Sequence, residues 1–334
     1  MKSTAKERIE QQLQYIKNNQ DRLVIDADTH LSDIENAAPV IKEKLLSTPD
    51  YYQGRPIDAQ DLLTEMKMGE VDMCLVWQNP AATLYTESQE ENFNNLLTAN
   101  RYIYESAVKH PDKFIPAGWT DPKALGYENA AKLADICVNE FGFAIVKMNP
   151  AQNQFPIDSE VVFDMVKHIV DLGAIPAFHY GADTPYTPAT GLENVAARFP
   201  QSPVIGIHMG GGGAGYIEAE KLYHESRQLG LKNPNIKYVL SAKRDTHIES
   251  DFITYQQAGE PYKNNLFCAS DAPYGRQTWN FGGYRWMFRS LLDYNNHTDS
   301  RVRNNPGLFT PDDMQNYMGG NFARMMVNAY EKLV

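Results

Sequence analysis

The sequence is poor in cysteine and lacks any long apolar run. Its 334 residues include three cysteines, Cys74, Cys137 and Cys268, with no CxxC pairing, which excludes a disulfide-stapled fold and fits a reducing compartment. No stretch approaches the roughly 20 apolar residues that a membrane-spanning helix needs. The charged first 20 residues lack the apolar core of a signal peptide. We therefore expect a cytoplasmic protein with no membrane partner.

Basic residues are also scarce relative to acidic ones. Lysine and arginine total 31 against 42 aspartates and glutamates, which gives a net charge of −11. Such a field repels polyphosphate, so we expect no nucleic-acid partner. What the chain does have is apolar residues, 43% of the total, enough to exclude intrinsic disorder. Its length allows either two domains or one large barrel.

An amphipathic helix is predicted at the N-terminus. Ile9, Leu13 and Ile16 recur at the spacing of one helical face, within residues 4–19. We predict that this helix, within residues 1–21, precedes a single barrel domain over residues 22–334.

Eight short apolar runs alternate with longer stretches of helical periodicity. The runs lie at residues 23–27, 71–77, 114–119, 142–148, 174–179, 202–208, 236–241 and 265–270. From the third run onward they recur at about 30 residues, the length of one βα unit. Eight such units without a linker predict an α/β fold, a (β/α)8 TIM barrel, with a doubly wound open sheet as the alternative. Residues 31–57 and 272–311 exceed this spacing and predict long loops after strands 1 and 8.

Ionisable side chains gather where the predicted strands end. The first run, at 23–27, breaks into Asp28 and His30, which are two residues apart and so share a face. His179 ends the fifth strand, His208 ends the sixth, and Asp271 follows the eighth. In a barrel these five groups converge, and unpaired they would be costly to bury. Nitrogen and oxygen donors without thiolate predict a site for one Zn²⁺ or Mn²⁺ ion.

The order of motifs adds a family resemblance. The segments IDADTH, VKMNP, FHYG, IGIHMGG, ASDAPYG and GNFARMM resemble the amidohydrolase superfamily, and within it the branch typified by aminocarboxymuconate-semialdehyde decarboxylase. The resemblance runs from about residue 22 to the C-terminus. It implies a (β/α)8 barrel holding one divalent metal, with Asp28, His30, His179 and Asp271 as ligands and His208 as acid/base beside them. The branch usually has His or Glu where this chain has Asp28.

Basic and aromatic residues near strand ends are candidates for substrate binding. Lys147 ends the fourth strand and could bridge two metals as a carbamate, hold a substrate carboxylate, or be structural. Arg244 follows strand seven, Arg276 and Trp279 follow strand eight, and Arg55 lies in the long segment after strand one. Because arginine suits bidentate binding of carboxylates, we expect a small carboxylate-bearing substrate.

Three functions stay open at this stage. We place first the hydrolysis of an amide or lactone, in which metal-activated water attacks a carbonyl and Asp271 takes the proton. The second is non-oxidative decarboxylation of an aromatic or unsaturated carboxylic acid, in which Asp271 or His208 protonates carbon before CO₂ leaves. The third is a catalytically inactive barrel that acts as a binding protein. By analogy with the branch, we expect a homodimer.

Overall fold

The computed structural model describes residues 5–47, 56–181, 185–212 and 220–334. Within these residues nine strands form, and every paired neighbour is parallel. The strands are β1 (Ile25–Leu31), β2 (Met73–Gln78), β3 (Phe114–Pro116), β4 (Gly118–Trp119), β5 (Ile145–Met148), β6 (Ile175–His179), β7 (Val204–Ile207), β8 (Ile236–Leu240) and β9 (Leu266–Cys268). Each lies within or overlaps one of the eight predicted apolar runs.

Helices connect these strands. They are α1 (Ala5–Asn19), α2 (Pro39–Ser47), α3 (Ala59–Gly69), α4 (Gln89–Lys109), α5 (Pro122–Leu125), α6 (Tyr127–Asp135), α7 (Pro150–Asn153), α8 (Glu160–Asp171), α9 (Ala189–Arg198), α10 (Glu220–Lys232), α11 (Asp245–Ala258), α12 (Gln277–Leu292), α13 (Ser300–Arg303), α14 (Pro311–Gln315) and α15 (Asn321–Leu333). No helix in the described ranges is long and apolar enough to cross a membrane.

The strands follow one another around a ring. The order is β1-β2-β3 and then β4 through β9, with β3 and β4 separated by Ala117 alone. The amide of Ala117 still donates to Val76 O at 2.9 Å, so β3 and β4 occupy one strand position. At the other seam, His30 N donates to Ala272 O at 2.7 Å and Asp271 N donates to Asp28 O at 3.0 Å. The predicted (β/α)8 barrel is therefore confirmed.

Buried side chains reinforce the seam between β1 and β9. Asp26 is fully buried and accepts hydrogen bonds from Ser270 N at 2.9 Å and from Gln277 Nε2 at 2.8 Å. Burial raises the pKa of Asp26 to about 7, although these donors oppose the rise. The first strand is thereby fixed to the segment that carries Asp271.

Two segments differ from the sequence-based expectation. The first run was expected to break after Ala27, which was wrong: β1 continues to Leu31, with an irregular register between Asp26 and Thr29. Such an irregularity lets a strand continue while it re-aims its side chains. The segment over residues 272–311 is long, as predicted, but α12 and α13 make half of it helical, and α12 forms because Phe281, Tyr284 and Phe288 bury one helical face.

The predicted N-terminal helix is present as α1. Ile9 and Ile16 are buried as expected, and so are two polar residues, Arg8 and Gln12. Arg8 donates to Gly142 O at 2.7 Å, and Gln12 donates to Phe114 O at 2.5 Å, where β3 begins. The helix is therefore attached to the end of the barrel where the strands start.

Candidate metal centre

Three ligand-type side chains meet where β1 and β9 end. The ligand atoms of Asp28, His30 and Asp271 all lie within 4.8 Å of one another. His30 Nε2 is 3.3 Å from Asp271 Oδ1 and 3.6 Å from Asp28 Oδ1. The backbone hydrogen bonds across the seam set this arrangement, because they join the main chains of the same residues. The group could hold a metal ion.

The protonation of His30 fits a metal ligand. Its Nδ1 lies 2.9 Å from the carbonyl oxygen of Gln78, which only accepts hydrogen bonds, so Nδ1 carries the proton and Nε2 keeps a lone pair. Burial, aided by the charge of Lys147, lowers the pKa of His30 to about 4, so the ring is neutral at pH 7. A lone pair that faces two carboxyl groups is repulsive unless a proton or a cation lies between them, and burial raises the pKa of Asp271 to about 7, so this carboxyl group can itself carry a proton. A carbonyl that orients the imidazole in this way is typical of metal-binding histidines.

Asp28 is ionised and firmly oriented. Its Oδ1 accepts from Trp77 Nε1 at 3.0 Å, and its Oδ2 accepts from Ser241 Oγ at 2.8 Å. Burial pushes the pKa of Asp28 upward, but the charge of Lys147, 3.7 Å from Oδ1, leads the opposing contributions and keeps the pKa below its ordinary value. A charged carboxylate at this position suits a divalent metal.

His208 is linked to Asp28 through Ser241. The Ser241 hydroxyl gives its one proton to Asp28, so it must accept from His208 Nδ1, which lies 2.8 Å away. His208 Nε2 therefore keeps a lone pair. Burial lowers the pKa of His208 and keeps the ring neutral at pH 7. A neutral imidazole with a free lone pair could act as a base, and the catalytic role of His208 stays a prediction.

His179 lies beside His208 at the end of β6. Their rings meet edge to face with centroids 4.7 Å apart. Burial, with the neighbouring charges of His208 and Lys147, holds the pKa of His179 well below its usual range. A Cβ at Gly181 would lie 2.8 Å from His179 Nε2, so the backbone passes the ring closely. His179 is outside the three-residue group, and its role as a ligand stays a prediction.

Lys147 is buried between two indole rings. Its Nζ lies 3.9 Å from the ring centroid of Trp77 and 4.9 Å from that of Trp119, distances at which a cation is attracted to the ring face. Burial lowers the pKa of Lys147, while Asp28 and Asp271 oppose the shift. The residue shares the site with the predicted ligands, and its closest acidic partner is Asp28.

Aromatic side chains enclose His30. The ring centroids of Trp77, Trp119 and Tyr274 lie 6.1, 6.3 and 5.7 Å from that of His30. Sequence reasoning missed these residues, and it missed Ser241. Trp77, Trp119 and Ser241 each end a predicted apolar run, so the criterion that found the histidines would also have found them.

The other predicted substrate-binding residues have different surroundings. Arg276 Nη2 donates to Glu65 Oε1 on α3 at 2.6 Å. Trp279 is 76% exposed on α12, and Arg244 is exposed where α11 begins. Arg55 lies outside the described residues. The roles of these four residues stay predictions.

Comparison with known proteins identifies the family. The sequence profile described as Amidohydrolase matches residues 25–276, about three quarters of the chain. The chain belongs to the amidohydrolase family. The resemblance seen in the sequence motifs is thus confirmed, as is the expectation of an enzyme of this family. A search of curated proteins gives no match to this amidohydrolase.

Solved structures share its architecture. 2,6-Dihydroxybenzoate decarboxylase from Rhizobium is 15% identical with a TM-score of 0.64, covering 91% of this chain and 98% of that one. A dihydroxybenzoic acid decarboxylase from Polaromonas sp. JS666, crystallised with manganese and 2-nitroresorcinol, is 13% identical with a TM-score of 0.62, covering 91% and 97%. 4-Oxalomesaconate hydratase from Rhodopseudomonas palustris is 14% identical with a TM-score of 0.57, covering 93% and 96%. At these identities the likeness shows a common fold.

Proposed function

We propose that this protein is a metal-dependent, non-oxidative decarboxylase of a small aromatic carboxylic acid. The observation that carries the proposal is the aromatic enclosure of His30 by Trp77, Trp119 and Tyr274. Trp77 and Trp119 are fully buried, so the partly exposed Tyr274 is the ring that can contact a ligand, and aromatic surroundings of this kind suit a ring that bears a carboxylate. The two decarboxylases described above are named for acids of this kind, which supports the same choice.

We propose Asp28, His30, His179 and Asp271 as the ligands of one Mn²⁺ or Zn²⁺ ion. The fit rests on the neutral His30 nitrogen that faces two carboxylate oxygens at 3.3 and 3.6 Å. When bound, the ion supplies Lewis-acid attraction that orients the substrate's carboxylate and an adjacent oxygen. Oxygen-rich ligand sets suit Mn²⁺, and three of the similar structures contain that ion.

The chain's own residues supply the proton. Asp271 is the most exposed of the three grouped residues, at 9%, and it therefore meets the substrate most directly. Its carboxyl proton goes to the ring carbon that bears the carboxylate. The bond to the carboxylate carbon then breaks, its electrons return to the ring, and CO₂ leaves. Asp271 regains a proton from solvent with the help of His208.

Hydrolysis of an amide or lactone is the second candidate. It is favoured by His208, whose Nε2 lone pair can take the proton of an attacking water. The two reactions need nearly the same residues, so the geometry alone does not separate them.

A direct assay separates the two reactions. Protein reconstituted with MnCl₂ is incubated with 2,6-dihydroxybenzoate and other hydroxybenzoates, and CO₂ release is followed beside hydrolysis of a lactone and amide panel. We expect CO₂ release by the wild type and by Lys221→Met, a surface control, and none by His30→Ala. Lactone or amide hydrolysis without CO₂ from any benzoate would contradict the proposal and favour hydrolysis.

We also propose a homodimer. Trp279 and Trp286 are 76% and 72% exposed and lie seven residues apart, on one face of α12. The adjacent α3 exposes Met68 to 60%, and Arg285 of α12 donates to Gly69 O of that helix at 3.0 Å. An exposed apolar group of this kind is typical of a subunit interface. Light scattering during gel filtration should give twice the chain mass, and a monomer would refute this proposal.

A cytoplasmic location stays a prediction.

A further inference from the structure

A cavity lies at the opposite end of the barrel from the metal centre. It has a volume of about 670 Å³. Its walls include Gly173 and Ala174, just before β6, together with Pro203, before β7, and Asn264, before β9. The residues of the metal centre lie instead in the carboxyl-terminal part of a strand or just after it. The two sites are therefore separated by the length of the barrel, and in such barrels chemistry occurs at the strand ends.

The cavity concentrates positive charge. Four basic residues, Arg198, Lys237, Arg324 and Lys332, line it, and none of the lining residues in the described part of the chain is acidic. The chain as a whole carries a net charge of −11. Arg198 has an acidic partner, Glu160, at 3.6 Å, but Glu160 is 80% exposed, so water screens this pair. A basic cavity in an acidic protein points to an anionic ligand.

Of the four basic residues that line the cavity, Lys237 combines burial of its ammonium group with the lack of an acidic partner in the described residues. It lies on β8, and its Nζ donates to Asn265 Oδ1, while no acidic partner for it occurs among the described residues. Burial lowers the pKa of Lys237 to about 8. An ammonium has three donors, so two remain for a ligand. Arg324 is half-buried and donates to Asn321 Oδ1 at 2.6 Å, which leaves most of its five donors available.

We propose that this cavity binds an organic anion, with a phosphate or carboxylate group held by Lys237 and Arg324. The apolar body of the ligand packs against Ile175, Phe199 and Met325, which line the same cavity. The volume falls within the range of small-molecule sites, about 300–1,000 Å³. Paired cationic donors recognise both phosphate and carboxylate, and the apolar wall distinguishes an organic anion from an inorganic one.

Titration calorimetry at constant ionic strength tests the site. The probes are phenyl phosphate, benzoate and inorganic phosphate, and the proteins are the wild type, Lys237→Met, Arg324→Gln and the exposed control Lys221→Met. We expect phenyl phosphate or benzoate to bind the cavity more tightly than inorganic phosphate, and the probe whose binding Lys237→Met weakens identifies the anionic group, because the metal centre could also take benzoate. Lys237→Met and Arg324→Gln should each weaken binding by about tenfold or more, the effect of one lost charge-assisted hydrogen bond. The control should bind as the wild type does.

Thermal unfolding gives a second readout. Lys237→Met removes a buried charge without an acidic partner and keeps most of the apolar stem, so without ligand it should melt above the wild type. Phenyl phosphate should raise the melting temperature of the wild type but not that of the variant. Equal affinity of all four proteins for phenyl phosphate and benzoate, or no binding of either probe, would overturn the proposal. If Lys237→Met fails to fold, Arg324→Gln decides between these outcomes.

Discussion

Ser241 connects two ionisable side chains of the metal centre, so its replacement by alanine should slow turnover without unfolding the protein. The hydroxyl donates to Asp28 Oδ2 at 2.8 Å and accepts from His208 Nδ1 at 2.8 Å. Without it, Asp28 loses one of its two neutral donors. His208 keeps only the carbonyl of Ser241 at 3.3 Å, which holds the ring less firmly.

The expected size of this effect follows from the charged hydrogen bond. A buried hydrogen bond to a carboxylate contributes about 1.5–3 kcal/mol, which corresponds to roughly 10- to 100-fold in rate or affinity. Residues that orient metal ligands show losses of the same order, about 10- to 100-fold. We therefore expect kcat/KM of Ser241→Ala to fall within this range, with Trp77 Nε1 and Lys147 still holding Asp28.

The assay is CO₂ release at saturating Mn²⁺, with metal content measured on the same samples. Ser106→Ala is the matched control, because Ser106 is also a buried serine but lies near the end of α4, where the chain enters the start of β3, away from the centre. The control should keep full activity. A Ser241→Ala enzyme as active as the wild type would refute the link between His208 and Asp28.

Three further predictions concern single charged or basic groups. His208→Ala should keep its metal, as elemental analysis would show, but lose turnover by about 10² or more, the scale for a positioned acid/base; equal loss of metal would make His208 a ligand. In metal-free protein, Lys147→Met should cost about 3–5 kcal/mol in urea unfolding because it leaves Asp28 as an uncompensated buried charge; an unchanged midpoint would contradict this. For Lys237 the folded pKa of about 8 lies below the ordinary 10.5, so the unfolded chain binds more protons at this residue between these values and the contribution of Lys237 to wild-type stability rises with pH there. The stability difference between Lys237→Met and the wild type should therefore shrink from pH 8 to pH 10.5, and a constant difference would refute the burial argument.

The barrel and the centre of its site could be predicted from the sequence because both depend on local patterns. Short β-branched runs at a regular spacing indicate parallel βα units, and four of the eight runs end at a histidine or serine. His30, His179 and Asp271 could be identified as site residues because an imidazole or carboxylate group at the end of an apolar run is costly to bury without a partner. The barrel then brought them to one end, as parallel strands must.

Other features depend on contacts between distant segments. Whether Ser241 joins Asp28 to His208 depends on how β8 lies beside the seam, which no local pattern encodes. The position of Lys147 between Trp77 and Trp119 likewise depends on residues of other strands. The start of α12 was expected to be a loop because Gly and Pro residues near it are typical of loops, although an apolar helical face follows. The basic cavity gave no signal, because its cations come from separate helices and β8.

Metal content tests the central claim most directly. The wild type, His30→Ala and the control His168→Ala are purified without added metal or chelator and analysed by inductively coupled plasma mass spectrometry. His168 lies on α8 and pairs with Asp135 at 2.9 Å, so its loss should not affect the centre. We predict one Mn or Zn per chain in the wild type and the control, and none in His30→Ala. Full metal occupancy in His30→Ala, or a wild type that takes up no metal on reconstitution, would contradict the account.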